Sequence, residues 1–482
     1  MNLKEAAKKG AKWTAIASLF SAICQLGLTA ILARYLDSSA FGLMAIALFV
    51  INFSQFFIDM GISNVIIHKQ DIKKNELDSL FWLNIILGLI IFLVIYLLSG
   101  EIASFYKDKA LQNVLIVIAT IFLIQPFGAQ FSVLLRKYLM FKEIAIRTIV
   151  SQGIGFIAGI WLAMHGWGVY ALVLSNVVTT LFSTITLIFA GYKVYKPKLH
   201  FNFKDIQPFM SFGMYQMGEK VVNYFNHEAD TLIVGKLLDI SSLGVYNIAK
   251  SFVIKPFQVI NPILTKISFP IMAKVQDDDL ALRKIYKGMI EALSYINFPI
   301  FAYMFFFPKD VVLLIFGHEW MAAIIPLKIL SLYALLRSTM NPVGTLLLAK
   351  GKAGFAFYWN LVQFIFLPVF IYIGSFWGII GICIILVVFQ SIPFSITGTL
   401  MIKKICGMPE KEYYGSFIWP LFLTILPVLA MELVVLFYSD YNTFAIIMRG
   451  GLFLALYFIT VFIFRRKMVL SFLHKGENKA GL

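Results

Sequence analysis

Residues 212–236, FGMYQMGEKVVNYFNHEADTLIVGK, decide how this chain must fold. The run is long enough to cross a bilayer as a helix, which takes about 20 residues. It nevertheless carries Gln216, Glu219, Asn223, Asn226 and Asp230 at alternating spacings of three and four. Those spacings set all five on one side of an α-helix. Lys220, Tyr224 and His227 form a second polar row beside them, leaving Val221, Val222, Phe225, Leu232 and Ile233 for lipid or neighbouring helices. An ionised side chain in hydrocarbon costs about 2.5–3.5 kcal/mol on insertion scales, so these groups predict a water-filled cavity or polar partners.

Composition places that helix in a membrane. The 482 residues are 60% hydrophobic and only 14% charged, with mean hydropathy +0.84, whereas soluble domains carry roughly a quarter charged residues. Fourteen apolar segments of bilayer length lie between residues 13 and 464, so the expectation is an all-α polytopic membrane protein of about 14 transmembrane helices. Lys4, Lys8, Lys9 and Lys12 precede the first segment and predict a cytoplasmic N-terminus. Every second loop tests that assignment: with fourteen spans, 29 of the 41 Lys and Arg residues fall on the cytoplasmic side and five in outer loops. Both termini are therefore expected in the cytoplasm, and the net charge of +16 belongs to loops and not to a nucleic-acid surface. The first segment is too long for the apolar core of a signal peptide and lacks a small-residue cleavage site, so it is read as a span. Cys24, Cys383 and Cys406 fall in helices or near a cytoplasmic loop and read as packing residues, with neither disulfide nor metal site expected.

An internal repeat sets the architecture. ILARYLDSSAFGLMAIA, residues 31–47, aligns without a gap to IVGKLLDISSLGVYNIA, residues 233–249, pairing Leu36 with Leu238, Asp37 with Asp239, Ser39 with Ser241 and Gly42 with Gly244. Weaker echoes pair Pro126 and Gly128 with Pro342 and Gly344, and Trp167-Gly168 with Trp377-Gly378. Six helices separate the copies, so both halves should share one orientation, as in transporters built from parallel repeats around a central cavity. The expected division is an N-terminal six-helix lobe over 1–200, a second over 201–405, and two extra helices with a cytoplasmic tail over 406–482.

Three stretches resemble a known family. LARYLDSSAFGLMAIA after the first helix, QPFGAQFSVLLRKYLMFKEIAIRTI at 125–149 and GWGVYALVLSNVV at 166–178 are together similar to the polysaccharide transporter branch of the multidrug/oligosaccharidyl-lipid/polysaccharide (MOP) exporter superfamily, nearest to Wzx-type and teichuronic or colanic acid exporters. The resemblance implies flipping of an undecaprenyl-pyrophosphate-linked oligosaccharide across a bacterial cytoplasmic membrane, by alternating access of two lobes, in cell-surface polysaccharide biosynthesis.

Such a substrate needs cations for its pyrophosphate, hydrogen-bonding groups for its glycan and a lateral opening for its tail. The cavity candidates are Gln25, Gln216, Glu219, Lys220, Asn223, Asn226, His227, Asp230, Lys250, Lys255 and Arg337. Lys250, Lys255 and Arg337 are read as meeting pyrophosphate, and the amides and carboxylates as meeting sugar hydroxyls or a coupling ion, H+ or Na+. Subtracting 202 converts Glu219 to Ala17 and Asp230 to Leu28, so the charged site belongs to the second lobe. Each residue has a plainer reading: Glu219 and Lys220 as packing pairs, His227 as an interhelical hydrogen-bonding group, Lys328 and Arg449 as side chains reaching the outer interface. Pro256, Pro262 and Pro270 are expected to bend their helix.

No GxxxxGK[ST], HExxH, GxSxG or GxGxxG pattern opens a catalytic or nucleotide site, and the loops are too short for a catalytic domain. The chain therefore reads as a non-enzyme without a cofactor, with lipid-linked oligosaccharide, membrane lipids and polysaccharide assembly proteins as partners. Two other functions compete: a multidrug-extrusion cation antiporter, which a basic cavity disfavours, and a membrane-embedded polysaccharide polymerase, which would want a large outer loop.

Overall fold

A computed structural model describes residues 3–59, 63, 66–67, 71–340, 342–437 and 441–477. Every regular element among them is helical. The order begins α1 (Leu3–Leu32), α2 (Ser38–Asp59), α3 (Lys74–Tyr106), α4 (Ala110–Ala119), α5 (Ile121–Ile124), α6 (Pro126–Lys137), α7 (Phe141–Met164), α8 (Val169–Gly191) and α9 (Phe203–Leu237). It continues α10 (Ile240–Lys274), α11 (Asp279–Phe306), α12 (Pro308–Ile315), a 3-10 turn (His318–Ala323), α13 (Ile324–Met340), α14 (Pro342–Ala349), α15 (Ala353–Ser375), α16 (Gly378–Ile396), a π-turn (Thr397–Met401), α17 (Ile402–Cys406), α18 (Glu410–Phe437) and α19 (Thr443–Glu477). Eleven described helices are long and apolar enough to span, and Ala110–Ile124 with Pro126–Lys137 makes a twelfth if that pair, bent by 50°, is one span. The bend falls at Pro126, where proline opens α6 because a first-turn residue has no intrahelical partner for its N–H. Helices α9 and α10 stay outside that apolar set although each has 35 residues, about 52 Å at 1.5 Å per residue. Their polarity, not their length, keeps them out.

The sequence repeat recurs as local geometry. Asp37 caps α2 by accepting from the Ala40 amide at 3.0 Å, and Asp239 caps α10 by accepting from the Ser242 amide at 2.8 Å. Both helix starts sit at the same offset of 202 residues, and both use a carboxylate for an amide that the helix leaves unpaired. The Ser242 hydroxyl also donates to Asp239 at 2.6 Å and holds its carboxyl below the usual range. The weaker echoes carry geometry too: Pro126 and Pro342 open α6 and α14, and Gly168 and Gly378 take left-handed φ of 54° and 67°, just before α8 and at the first residue of α16.

The two repeat copies touch. A Cβ on Gly42 would lie 2.8 Å from the carbonyl carbon of Ile240, and one on Gly244 would lie 2.7 Å from that of Ser38 and 3.0 Å from the amide nitrogen of Gly42. The hydroxyls of Ser38 and Ser241 share a hydrogen bond beside this contact. The contact is reciprocal, since 38 and 42 become 240 and 244 on adding the repeat offset. Only hydrogen at both glycines permits the approach.

Contacts divide the chain into two units, Met1–Ile248 with Asn360–Ser375, and Ala249–Trp359 with Phe376–Leu482. In the first, α7 packs on α1 and α8 through small residues, Gly155 against Thr179 and Ser175, and Gly159 against Leu28 and Ser175. Small-xxx-small spacing lets helices approach in lipid, where no hydrophobic effect drives them together. One end of this unit is closed by Leu80, Phe81, Phe131, Leu134, Leu187, Tyr195, Ile206 and Phe209. Buried Asp78 accepts there from the Tyr195 hydroxyl at 2.6 Å and the Lys198 amide at 3.0 Å, while Ser79 donates to Asp205 at 3.1 Å. These bonds fasten the linker between α8 and α9 to the start of α3. In the second unit, Met272, Tyr286, Ile290, Leu293, Leu346, Ile402 and Tyr413 form one core. Pro256, Pro262 and Pro270 all lie inside α10.

Candidate functional site

Helix α9 carries the polar face that the sequence singles out. The side chains of Gln216 and Glu219 lie outside the described residues. Lys220, Asn223 and Asn226 are half-buried, His227 is exposed and Asp230 is only 6% exposed. Asp230 therefore turns into protein and not toward acyl chains. Its Oδ2 accepts from the Tyr246 hydroxyl of α10, and its Oδ1 accepts from the Thr231 amide at 2.8 Å. The Thr231 hydroxyl then donates to Glu228 at 3.0 Å. One α-helical turn thus holds two carboxylates, both engaged by hydroxyl donors, which offsets the cost of removing them from water.

The neighbouring residues fix this helix by side-chain contacts with others. Asn226 donates to the Asn360 carbonyl of α15 at 2.9 Å, and its own Oδ1 is buried without a donor among the described residues. Tyr224 donates to the Phe49 carbonyl of α2 at 2.9 Å, with its ring 5.2 Å from Phe49 and 5.3 Å from Phe56. Gln25, the candidate on α1, is exposed, its amide 3.4 Å from the Ser21 hydroxyl. Sequence periodicity found Asp230 and Asn226 but not Glu228, Thr231 or Tyr246. Glu228 lies off the five-residue face, and only the crossing of α9 and α10 shows Tyr246 as a partner.

The three cation candidates belong to the second unit. Lys250 is 7% exposed and Lys255 half-buried, both on α10. Arg337 on α13 is half-buried, hydrogen-bonded to the Tyr333 hydroxyl and 5.5 Å over the Tyr333 ring. Close by in sequence is a buried amide network that the sequence reading missed. Asn261 of α10 donates to the Ser338 carbonyl of α13 at 2.8 Å and accepts from Asn297 of α11 at 3.1 Å. The network ties three helices at positions where water is excluded, and its only sequence signal is a lone asparagine before Pro262.

One expectation is overturned. Arg449 does not reach the outer interface. It is 3% exposed and makes a two-pronged bond to Asp310, Nε at 2.8 Å and Nη2 at 2.7 Å, with Tyr441 stacked 5.0 Å away. A planar guanidinium fork matched to a carboxylate in a dry site outcompetes hydration of a single charge, so the side chain folds inward. Lys328 lies over the Phe305 ring at 5.2 Å.

The arrangement is that of a helical membrane protein with polar and charged side chains buried among its helices. Over 94% of this chain and 99% of the other, the fold matches the lipid II flippase MurJ in an inward closed conformation, TM-score 0.77 at 15% identity. An inward-facing multidrug resistance MATE transporter of the MOP superfamily matches at TM-score 0.55, 16% identity, over 85% of this chain and 94% of that one. Residues 31–325 match the family described as polysaccharide biosynthesis protein, and the chain belongs to that family. Among its relatives, the lipopolysaccharide biosynthesis protein WzxC of Escherichia coli K12 is 32% identical over 90% of this chain and 88% of its own length. The teichuronic acid biosynthesis protein TuaB of Bacillus subtilis 168 is 32% identical over 73% of each.

Proposed function

We propose that the chain is a flippase of the cytoplasmic membrane, moving a polyprenyl-pyrophosphate-linked oligosaccharide from the inner to the outer face during cell-surface polysaccharide synthesis. The observation that carries this reading is the conjunction of family and fold: a relative of polysaccharide biosynthesis proteins that over 94% of its length takes the fold of the lipid II flippase MurJ. The mechanism is alternating access between lobes 1–200 and 201–405, with 406–482 as an accessory pair, fourteen spans in all and both termini in the cytoplasm. The basic residues concentrated in alternate loops support that orientation.

In this reading Lys250, Lys255 and Arg337 meet phosphate charge. Gln25, Gln216, Asn223 and Asn226 offer amides to sugar hydroxyls, with Lys220 and His227 beside them. Glu219 and Asp230 are the candidates to bind a coupling H+ or Na+. Asp230 suits that role through its burial beside the Tyr246 hydroxyl, because a carboxylate withdrawn from water calls for a compensating partner. The chain acts without covalent chemistry of its own.

The test is reconstitution. Purified protein in liposomes is given a polyprenyl-pyrophosphate-linked oligosaccharide with its sugar labelled, and a membrane-impermeant glycosidase reports how much sugar lies outside. Protein-dependent exposure of the inner pool supports the proposal. Equal protection in protein-free and protein-containing vesicles, under any imposed pH or sodium gradient, removes it. Extrusion of cationic drugs in the same vesicles would favour the antiporter instead.

A further inference from the structure

The basic end of the first unit holds a group the account above leaves unused. Arg147 lies two turns into α7, half-buried, and its Nε is buried with no hydrogen-bond partner among the described residues. Among the described residues its Nη2 reaches the Thr148 hydroxyl alone, at 3.2 Å. No ion pair neutralises it among the described residues, and the charge near enough to act on it is another cation, Arg136 at the end of α6. Glu143, one turn before it on α7, makes no bond to it among the described residues.

A tight turn joins the two helices that carry these arginines. Between α6 and α7 the chain turns in three residues, with the Leu139 amide bonded to the Arg136 carbonyl at 3.0 Å and the Met140 amide to the Leu135 carbonyl at 2.8 Å. That pairing is a helix terminus usually completed by glycine, because its reversing residue is left-handed. Here the residue is Leu139, at φ 58°. A side chain in that conformation is strained, and strain of this kind gathers where a chain segment must be held for function. The turn faces the same cluster, with Met140 and Ile144 packed on the core that also holds Phe131, Leu134 and Tyr195. The turn is thus flanked by two arginines, Arg136 before it and Arg147 after it, the second with a dry, unused N–H, and Lys137 and Lys142 belong to the same basic stretch of sequence.

We propose that Arg136 and Arg147 form a receiving site for phosphate-ester anions, which takes the pyrophosphate of the lipid-linked saccharide as it is loaded. The inference rests on the flippase reading and deepens it by naming a site distinct from the second-unit cations Lys250, Lys255 and Arg337. Guanidinium groups present paired donors that match phosphate oxygens two at a time. A ligand with two linked phosphates carries enough charge to relieve the repulsion between both arginines, and it would supply an acceptor for the orphaned Nε.

The experiment uses the full chain in nanodiscs of neutral phosphatidylcholine and titrates geranylgeranyl pyrophosphate, with geranylgeraniol as the uncharged control, following intrinsic tryptophan fluorescence. The parent is expected to bind the pyrophosphate and not the alcohol. R136Q and R147Q should each weaken binding about tenfold, R147K should lose less than R147Q, and K328Q, whose ammonium lies over the Phe305 ring, should leave the affinity within about twofold. Arg136 is exposed, so R136Q reports on the site even if R147Q disturbs folding. Equal affinity in parent, R136Q and R147K overturns the site while leaving the flippase reading intact. Failure of the parent itself to bind any polyprenyl pyrophosphate removes both. A second arm adds phosphatidylglycerol: competition at a few mole per cent, abolished in R136Q, assigns the site to lipid headgroups and overturns its role in loading substrate.

Discussion

The reciprocal glycine seam offers the sharpest test of how the repeat is used. Substitution G42A places a methyl group against the Ile240 carbonyl, with only 2.8 Å to the carbonyl carbon, and G244A does the same at 2.7 Å to that of Ser38. Ordinary carbon contacts begin near 3.5 Å, so the facing backbones of α2 and α10 must part by at least about 0.7 Å, and more to clear the carbonyl oxygens. Overpacking of this kind costs about 1–3 kcal/mol. If the seam opens during the transport cycle, the same amount shifts the closed-to-open ratio by about 5- to 150-fold. The assay is a disulfide trap: S38C with S241C, in a chain with Cys24, Cys383 and Cys406 replaced, because the native hydroxyls already share a hydrogen bond. The trap should close readily in the parent background, arrest export until reductant is added, and close at least severalfold more slowly when G42A or G244A is present. Unchanged trapping rates and undiminished export with both alanines in place would refute the seam as a moving contact.

Other outcomes follow from single contacts. Substitution D310A strips the partner from a buried arginine and should destabilise the protein by about 3–5 kcal/mol, whereas the paired change D310L with R449M should cost much less, as read by thermal unfolding in detergent. Asp205 is held below the ordinary carboxylate range first by His200, 2.9 Å away, and by Ser79. A lowered carboxylate stabilises the fold above the unfolded-state value near about 3.9 and loses that contribution as pH falls through the folded one. The melting difference between parent and D205N should accordingly persist from pH 7 down to about 4 and vanish below; a difference that grows in acid contradicts a stabilising role for the Asp205 bonds to His200 and Ser79. Charge removal at Lys250, Lys255 and Arg337 should reduce polymer export with insertion unaffected, and full export in all three variants would dismiss them from the substrate path. Replacing Asp230 by asparagine should change the dependence of vesicle transport on pH or sodium, and a flat response would end its ion-coupling role.

Local order was legible in the sequence, and tertiary partnership was not. Asp37 and Asp239 cap helices because a carboxylate three residues before an amide meets it through chain geometry alone, wherever the helix later packs. Apolar length marked most spans for the same reason, since a helix in lipid satisfies its own backbone. The likeness of Gly42 to Gly244 could likewise be read from spacing, but that the two glycines face each other's neighbours could not. Arg449 shows the limit from the other side: its partner Asp310 is 139 residues away, and nothing short-range tells a snorkelling arginine from a buried pair. Asp230 with Tyr246, and Asn261 with Asn297 and Ser338, are choices of the same kind. Periodicity says which residues share a face of one helix. Which face of another helix meets it depends on packing among all of them, and in lipid that packing turns on small residues and polar pairs that carry little signal until the helices are assembled.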